Sequence, residues 1–445
     1  FFIYKTQRRD FMIFGLPALI GFLPLVIYLY LAFKGKNLLS TVIICVLVGA
    51  VLTGQTPVSL SNEIANGLKS FLGLIGFIIM MGAGLGEVLT ETKVARNLVE
   101  ILIKKVGIKS QNQAIIVTMG ASTLLVSLLG TLAGANAMIA PILIPIVASF
   151  GLTPNTLAVI LHGAGACGLF LGPFVPPVIT LMGLTGLTYG TYLANIGMPV
   201  AALVLVSTYY TGKKVQKQYE GIEMYSTEDM DKDVEFVSTP EINKATMVFA
   251  LVMIGMLAYG IYAKAGAAYA IVVMLTVAFT TGLAAGRSMM DIIGSLTKGA
   301  TRMFWLFFMF VLYDPFLKFV TMTGAFTTLG DMLKPLIEVS GDIGFIIIST
   351  LVGIFGVSGA AVAQSVVLND LFKNIVVDIN LPMTIWGTVL LIGSQITSFA
   401  YPTGDMIGQM GLARSKDLKS MIRNGMTITV VMIVYVIVRA MIYSI

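Results

Sequence analysis

The chain has 445 residues, of which 57% are hydrophobic and 11% are charged, with a mean hydropathy of +0.92 and a net charge of +6. Soluble domains carry about 25% charged residues, so this composition excludes an ordinary soluble protein and predicts an integral membrane protein. Basic residues beside membrane helices account for the positive charge without a nucleic-acid partner. Two cysteines and one histidine leave little material for a disulfide framework, a zinc site or a catalytic triad, so we expect neither an enzyme nor a cofactor.

Apolar runs long enough to cross a bilayer occur along the whole chain. They cover residues 11–33, 38–53, 190–211, 246–262, 266–285, 303–322 and 424–442. Because these runs are continuous and do not alternate, they predict an all-α polytopic membrane protein with about 10 to 12 transmembrane helices, and not a β-barrel. We expect it to lie in the cell (inner) membrane, with the lipid bilayer as a partner.

One hydrophilic segment, residues 212–244, divides the chain. It is charged and polar and is bounded by apolar runs, which is typical of a solvent-exposed connector. The expected organisation is an N-terminal extra helix, a first membrane repeat, this linker, and a second membrane repeat with an extra leading helix. The corresponding residues are 1–34, 35–211, 212–244 and 245–445.

The two halves contain matching proline and glycine patterns. Segments beginning at Pro177 and Pro402 both read P-x5-G-x2-G-L, at an offset of 225 residues. Nearer the start of each half, two glycines match at an offset of 232 residues: Gly54 with Gly286, and Gly67 with Gly299. Such ordered matches indicate an internal repeat.

The distribution of Lys and Arg indicates that the repeats are inverted. Residues 93–109 and 412–423 are basic, whereas their counterparts 324–341 and 187–198 have one cation and no charge, respectively. Cytoplasmic loops favour Lys and Arg, so the two halves face opposite ways and the linker is cytoplasmic. Basic residues near the N-terminus argue against placing that terminus outside.

Small and polar residues form two matched pairs of candidate helix breaks, 128–141 with 355–370 and 172–183 with 398–408. Glycine and proline open a helix, and the freed backbone groups can bind a ligand near the membrane midplane. The alternative is that small residues only allow close helix packing. Candidate substrate-binding residues in and beside these breaks are Thr131, Asn136, Pro177, Thr180, Ser358, Gln364, Ser394 and Thr403. Na⁺ is a candidate ligand near Asn136, Ser358 and Asp405.

Ion coupling requires a titratable or cation-binding group within the membrane, where a charge is costly and usually functional. The candidates are Asp405, Asp314, Asp370, Glu87 and His162.

Some of these groups have structural alternatives. Glu87 lies near basic residues and is a candidate for an ion pair with Lys93 or Arg96. Asp314 precedes a proline and lies four residues before Lys318, a spacing that permits an ion pair on a helix.

The other candidates differ in their surroundings. Asp370 lies near Lys373 and could be a loop end, and the alternative for His162 is a hydrogen bond between helices. Asp405 alone lies in a predicted break with no cation within eight residues. At the offset of 225, Asp405 aligns with Thr180, so only the second break carries an acid.

Three stretches, residues 35–107, 174–186 and 392–429, resemble the gluconate permease family of the ion transporter superfamily. The matching residues are the stretch from Gly82 to Thr92, Val175-Pro176-Pro177, Gly393-Ser394, and Gly411-Leu412 followed by Lys416. The resemblance implies a proton-coupled or cation-coupled importer of small organic acids, with two inverted halves and re-entrant hairpins.

The expected function is therefore symport of a small organic anion, gluconate-like or another carboxylate, with H⁺ or Na⁺ by alternating access. A Na⁺/H⁺ antiporter and an amino-acid transporter of the same superfamily are the alternatives. The scarcity of intramembrane cations that would pair with a carboxylate substrate favours the antiporter. A homodimer is left open.

Overall fold

The computed structural model describes residues 18–34, 36–226, 236–356 and 361–443. Every regular element within these residues is a helix, and nine of the described helices are long and apolar enough to cross a membrane. Four shorter apolar helices accompany them: Ala18–Leu31, Leu38–Leu52, Tyr269–Ala284 and Val339–Phe355. The predicted all-α polytopic membrane fold is confirmed.

The described residues of the first half contain eleven α-helices. They are α1 (Leu23–Phe33), α2 (Leu38–Leu52), α3 (Pro57–Lys69), α4 (Phe71–Glu91), α5 (Val94–Val106), α6 (Gln111–Leu129), α7 (Leu132–Ser149), α8 (Pro154–Leu171), α9 (Pro176–Thr185), α10 (Tyr189–Tyr192) and α11 (Met198–Tyr219).

The second half contains ten helices among the described residues. They are α12 (Pro240–Tyr262), α13 (Tyr269–Ala284), α14 (Met289–Arg302), α15 (Phe304–Met322), α16 (Ala325–Leu351), α17 (Ala361–Asp378), α18 (Met383–Gln395), α19 (Thr397–Ala400), α20 (Gly404–Leu412) and α21 (Leu418–Tyr443). Helices α11 and α12 cover both ends of the predicted linker, and residues 227–235 lie outside the described ranges.

Local sequence sets several of the helix boundaries. Ser110 begins α6 by accepting a hydrogen bond from the Gln113 amide at 3.3 Å. Ser288 and Asp291 form a reciprocal capping box at the start of α14, which satisfies two otherwise free amides. Gly54 and Gly286 follow α2 and α13 with φ angles of 68° and 75°, a conformation that glycine adopts at little cost.

The helices of the two halves interlock in a reciprocal pattern. Helix α3 packs on α15, and the corresponding helix α14 packs on α4. In the same way, α2 packs on α15 and α13 packs on α4, while α9 packs on α17 and α20 packs on α7. Each half therefore supplies part of the packing surface of the other.

Gly67 and Gly299, which match in the sequence, occupy equivalent positions in this packing. A Cβ added at Gly67 would lie 2.2 Å from the Val311 carbonyl oxygen, and one added at Gly299 would lie 2.3 Å from the Ala83 carbonyl oxygen. Only glycine permits such close approach of a helix to the backbone of its neighbour. The matched glycines thus mark the two crossings between the halves.

The register of the proline motif is wrong by three residues. Helix α9 begins at Pro176 and α20 begins at Gly404, so the two short helices correspond at an offset of 228 residues. Asp405 therefore corresponds to Pro177 and not to Thr180. The motif misled because its recurring glycines match at more than one spacing.

Candidate functional site

The tip of the first hairpin, which consists of α6 and α7, lies against the first helix break, between α8 and α9. Helices α6 and α7 meet at Gly130, whose φ is 69°, and Thr131 caps α7 by accepting a hydrogen bond from the Gly134 amide at 3.4 Å. A Cβ added at Gly130 would lie 3.6 Å from Cδ of Pro176, the first residue of α9. Residues 172–175 separate α8 from α9, so the hairpin tip and the opened backbone are neighbours.

The second break shows a comparable arrangement. Residues 401–403 separate α19 from α20, and Thr403 caps α20 by accepting a hydrogen bond from the Met406 amide at 3.4 Å. The Tyr401 hydroxyl donates to the Ile354 carbonyl oxygen at 3.5 Å, in the π-helical segment Val352–Gly356 that follows α16. The second hairpin, which consists of α16 and α17, therefore contacts the second break. Ser358, a predicted substrate-binding residue, lies outside the described residues.

Asp405 lies in the first turn of α20, directly after this break. It is exposed, and the neighbouring Gly404 and Gly408 have no atoms within 4 Å of an added Cβ, so this side of the helix is open. The positive end of the helix dipole stabilises an ionised carboxylate here. Among the described residues, no ion pair or hydrogen bond involves the Asp405 carboxylate. The group is therefore available to a cation or a proton.

A buried amide pair joins the first hairpin to α20. Asn136 Nδ2 donates to Gln409 Oε1 and to the Leu161 carbonyl oxygen, both at 2.8 Å. Asn136 Oδ1 accepts from the Ser122 hydroxyl at 2.7 Å. The predicted residue Asn136 thus lies one helical turn from Asp405 through Gln409, which the sequence analysis did not select.

Gln364 holds the second hairpin to α18. Its Nε2 donates to the carbonyl oxygens of Gly353 and Gly393 at 2.7 and 2.9 Å and to the Thr397 hydroxyl at 2.7 Å. Its Oε1 is buried without a partner among the described residues. Gln364 therefore crosslinks the backbones of the second hairpin and α18, and one of its polar atoms is left for a ligand.

The remaining candidates for substrate binding are engaged within their own helices. The hydroxyls of Thr180 and Ser394 donate to the carbonyl oxygens of Pro176 and Leu390 at 2.9 and 2.7 Å. Pro177 is buried in the first turn of α9, where the lack of an amide hydrogen leaves no unsatisfied donor. Their visible role is to stabilise the first turn of α9 and the last turn of α18.

Two of the predicted carboxylates line one cavity. Asp314 on α15 and Asp370 on α17 border a space of about 650 Å³ between α4, α9, α15 and α17. Lys373 Nζ lies 2.7 Å from Asp370 Oδ1. Lys318 Nζ lies 2.5 Å from Glu63 Oε2. Lys318 therefore forms its ion pair with a carboxylate of the other half, and not with Asp314 as the spacing permitted. Both lining cations are therefore already ion-paired.

The predicted partners of Glu87 are also wrong. Its carboxylate, 4% exposed, lies 2.7 Å from Lys298 Nζ and 2.6 Å from Arg302 Nη1, both on α14 of the other half. The basic residues that follow Glu87 in the sequence do not reach it because the side chain points from α4 toward α14. Glu87 therefore acts as a crosslink between the halves.

His162 makes no hydrogen bond between helices, contrary to the structural alternative. It is fully buried in α8, neither ring nitrogen has a partner among the described residues, and the ring packs on Phe399 with centroids 4.5 Å apart. It thus lies beside α19, which leads into the second break. The described residues contain no cluster of three or more His, Cys, Asp or Glu that could hold a metal ion.

The fold and the two breaks define a multi-pass helical membrane protein in which helix hairpins contact interrupted helices. The Na⁺/H⁺ antiporter family matches residues 9–189, which is less than half of the chain. The YdaH transporter of Alcanivorax borkumensis, described as having an unusual topology, matches with a TM-score of 0.63 and 13% identity, covering 95% of this chain and 97% of that one. At this identity the likeness shows the fold alone.

No curated protein matches the chain. The matching family and the solved structure named above are both of transporters. The resemblance to gluconate permeases stays a prediction, because neither match names that family.

Proposed function

We propose that the chain is an ion-coupled secondary transporter that exchanges Na⁺ for H⁺, with Asp405 as the group that carries either ion. The observation that carries this proposal is the Asp405 carboxylate, at a helix break and without a cationic partner among the described residues. An unpaired carboxylate at membrane depth is costly, and binding either a proton or Na⁺ lowers that cost. Because one carboxylate holds only one of them at a time, its ligands compete, and competition is the basis of exchange.

The surroundings of Asp405 support this role. The Thr403 hydroxyl and the unwound carbonyl groups at residues 401–403 are oxygen ligands of the kind that Na⁺ prefers. Each hairpin contacts one break, so a movement of either hairpin changes the access to that break. Alternating access then requires two arrangements that differ in free energy by only about a few kcal/mol. A difference of this size is typical of proteins with two conformations.

The matching family supports the same direction, since its description names Na⁺/H⁺ antiport. Symport of a small organic anion is the second candidate. The cavity of about 650 Å³, with Lys318 and Lys373 in its wall, favours it by its size. Both lysines are already neutralised by carboxylates, however, so the cavity offers no free cation for a substrate carboxylate. We therefore rank exchange first.

The proposal is tested with purified protein in liposomes that enclose a pH-sensitive dye. With an acidic interior, external Na⁺ should raise the internal pH in the wild type, and K⁺ should do so less. Asp405→Asn should abolish the response because a neutral amide neither releases a proton nor offsets the charge of Na⁺. Asp378→Asn, which removes an exposed carboxylate from the end of α17, is the matched control and should exchange normally.

Two results would contradict the proposal. Normal exchange by Asp405→Asn would remove Asp405 from the ion pathway. Proton movement that depends on gluconate or another carboxylate, with no response to Na⁺ alone, would establish symport in place of exchange. A melting-temperature control shows that each variant is folded.

A further inference from the structure

We propose that Gln409 is a positioning residue for Asp405, and that it connects this carboxylate to the first hairpin through Asn136. The inference rests on the proposed exchange function and adds a residue that determines the affinity for Na⁺. Gln409 is fully buried and lies four residues after Asp405 in α20.

The hydrogen bonds around Asn136 fix the orientation of both amides. Asn136 Oδ1 accepts from the Ser122 hydroxyl, and its Nδ2 donates to the Leu161 carbonyl oxygen. The second hydrogen of Nδ2 therefore needs an acceptor, which is Gln409 Oε1 at 2.8 Å. Rotating either amide by half a turn would bring two donors or two acceptors together. Gln409 must consequently direct its Nε2 away from Asn136.

The Nε2 group of Gln409 is a buried donor without a partner among the described residues. A buried donor of this kind is costly unless it finds an acceptor. Residues four apart on a helix are neighbours on one face, with Cβ atoms about 5 to 6 Å apart, so the Asp405 carboxylate lies within reach of a rotamer change. Hydrogen bonds to a carboxylate are stronger than neutral ones, which makes Asp405 the favoured acceptor.

The link joins two halves of the chain. Asn136 belongs to the first hairpin and Gln409 to the broken helix of the second half, 273 residues later. When the first hairpin moves, Asn136 and therefore the Gln409 amide move with it. The donor then approaches or leaves Asp405, which changes how the carboxylate is directed toward a bound Na⁺.

The test compares Gln409→Met with the wild type. Methionine conserves the volume, and Asn136 keeps its bonds to Leu161 and Ser122 but loses its acceptor on Gln409, so we expect a folded variant with a lowered melting temperature. We expect Gln409→Met to raise the KM for Na⁺ about tenfold with little change in kcat, because it removes one hydrogen bond to a charged group.

Gln216→Met is the matched control. Gln216 is also buried, and its amide bonds Gly151, Thr153 and Thr156 near the C-terminal end of α11. Its loss should lower the melting temperature without changing the KM for Na⁺. A merely structural role for Gln409 predicts the same pattern for Gln409→Met.

The outcomes separate the inference from the proposed function. If the wild type exchanges Na⁺ and the KM of Gln409→Met is unchanged, the positioning role is refuted while exchange stands. If the wild type neither exchanges Na⁺ nor gains thermal stability from it, both proposals are refuted.

Discussion

The close crossing of α14 and α4 predicts that Gly299→Ala destabilises the protein. The added Cβ would lie 2.3 Å from the Ala83 carbonyl oxygen and 2.8 Å from both Gly84 Cα and Glu87 Cβ. Two of these three atoms belong to the backbone, so no side-chain rotation relieves the clash, and the helices must separate. Gly294, in the same helix, has no atoms within 4 Å of its added Cβ and provides the control.

The two substitutions differ only in the clash. Replacing a helical glycine by alanine stabilises a helix by about 0.5 to 1 kcal/mol at either position. Overpacking typically costs about 1 to 3 kcal/mol, and it applies at Gly299 alone. We therefore expect Gly294→Ala to be more stable than the wild type, with Gly299→Ala about 1 to 3 kcal/mol below Gly294→Ala.

Thermal unfolding in one detergent at one scan rate measures this difference. Membrane proteins often unfold irreversibly, so the comparison uses the order of apparent melting temperatures. The expected order is Gly294→Ala above the wild type and Gly299→Ala below it. If Gly299→Ala melts at or above the temperature of Gly294→Ala, the close crossing does not exist and the reciprocal packing of the halves is wrong.

Three further features are tested by the same unfolding measurement. Gly67→Ala should destabilise like Gly299→Ala, because its Cβ would meet a carbonyl oxygen at 2.2 Å. Glu87→Gln should cost about 1 to 3 kcal/mol and more than Lys298→Gln, since Glu87 is buried while the lysine is 56% exposed. Burial raises the pKa of the Asp417 carboxyl, but hydrogen bonds from Ser420 and Tyr219 outweigh burial and hold the pKa below its usual value of 3.8. Its stabilisation should be complete above pH 3.8, be lost as the pH falls through the folded pKa, and be absent in Asp417→Asn.

The fold was predictable because it depends on composition and on local signals. Long apolar runs without alternation determine helices, whatever their partners are. The match of Gly67 with Gly299 was also informative, since close helix crossings demand glycine and the demand recurs in each half. The register of the short helices could not be predicted from the glycines. Glycines that face open space, such as Gly408 and Gly411, match by chance as easily as packed ones.

The candidate site was only partly predictable, because its partners are distant in sequence. Asp405 stood out by its lack of nearby cations, a property that local sequence displays. Gln409 resembles any polar residue on a helix until Asn136 is placed beside it. Lys318 likewise lies one turn from Asp314 in sequence, yet Glu63 of the other half takes it. Spacing along the sequence indicates which ion pairs are possible, and tertiary packing determines which of them form.

The charges of the two halves differ in a way that separates structural from functional acids. Glu63 of α3 pairs with Lys318 of α15, and Glu87 of α4 pairs with Lys298 of α14. Each pair joins a short helix of one half to the long helix of the other, with both carboxylates in the first half and both lysines in the second, so these carboxylates serve the packing between the halves.

Asp405 does not follow the repeat. Its counterpart in α9 is a proline, and neither α9 nor the first break contains any charged residue. Unlike Glu63 and Glu87, Asp405 forms no ion pair with any described residue. An unpaired acid beside opened backbone is better explained by a ligand, as the proposed exchange requires, than by packing.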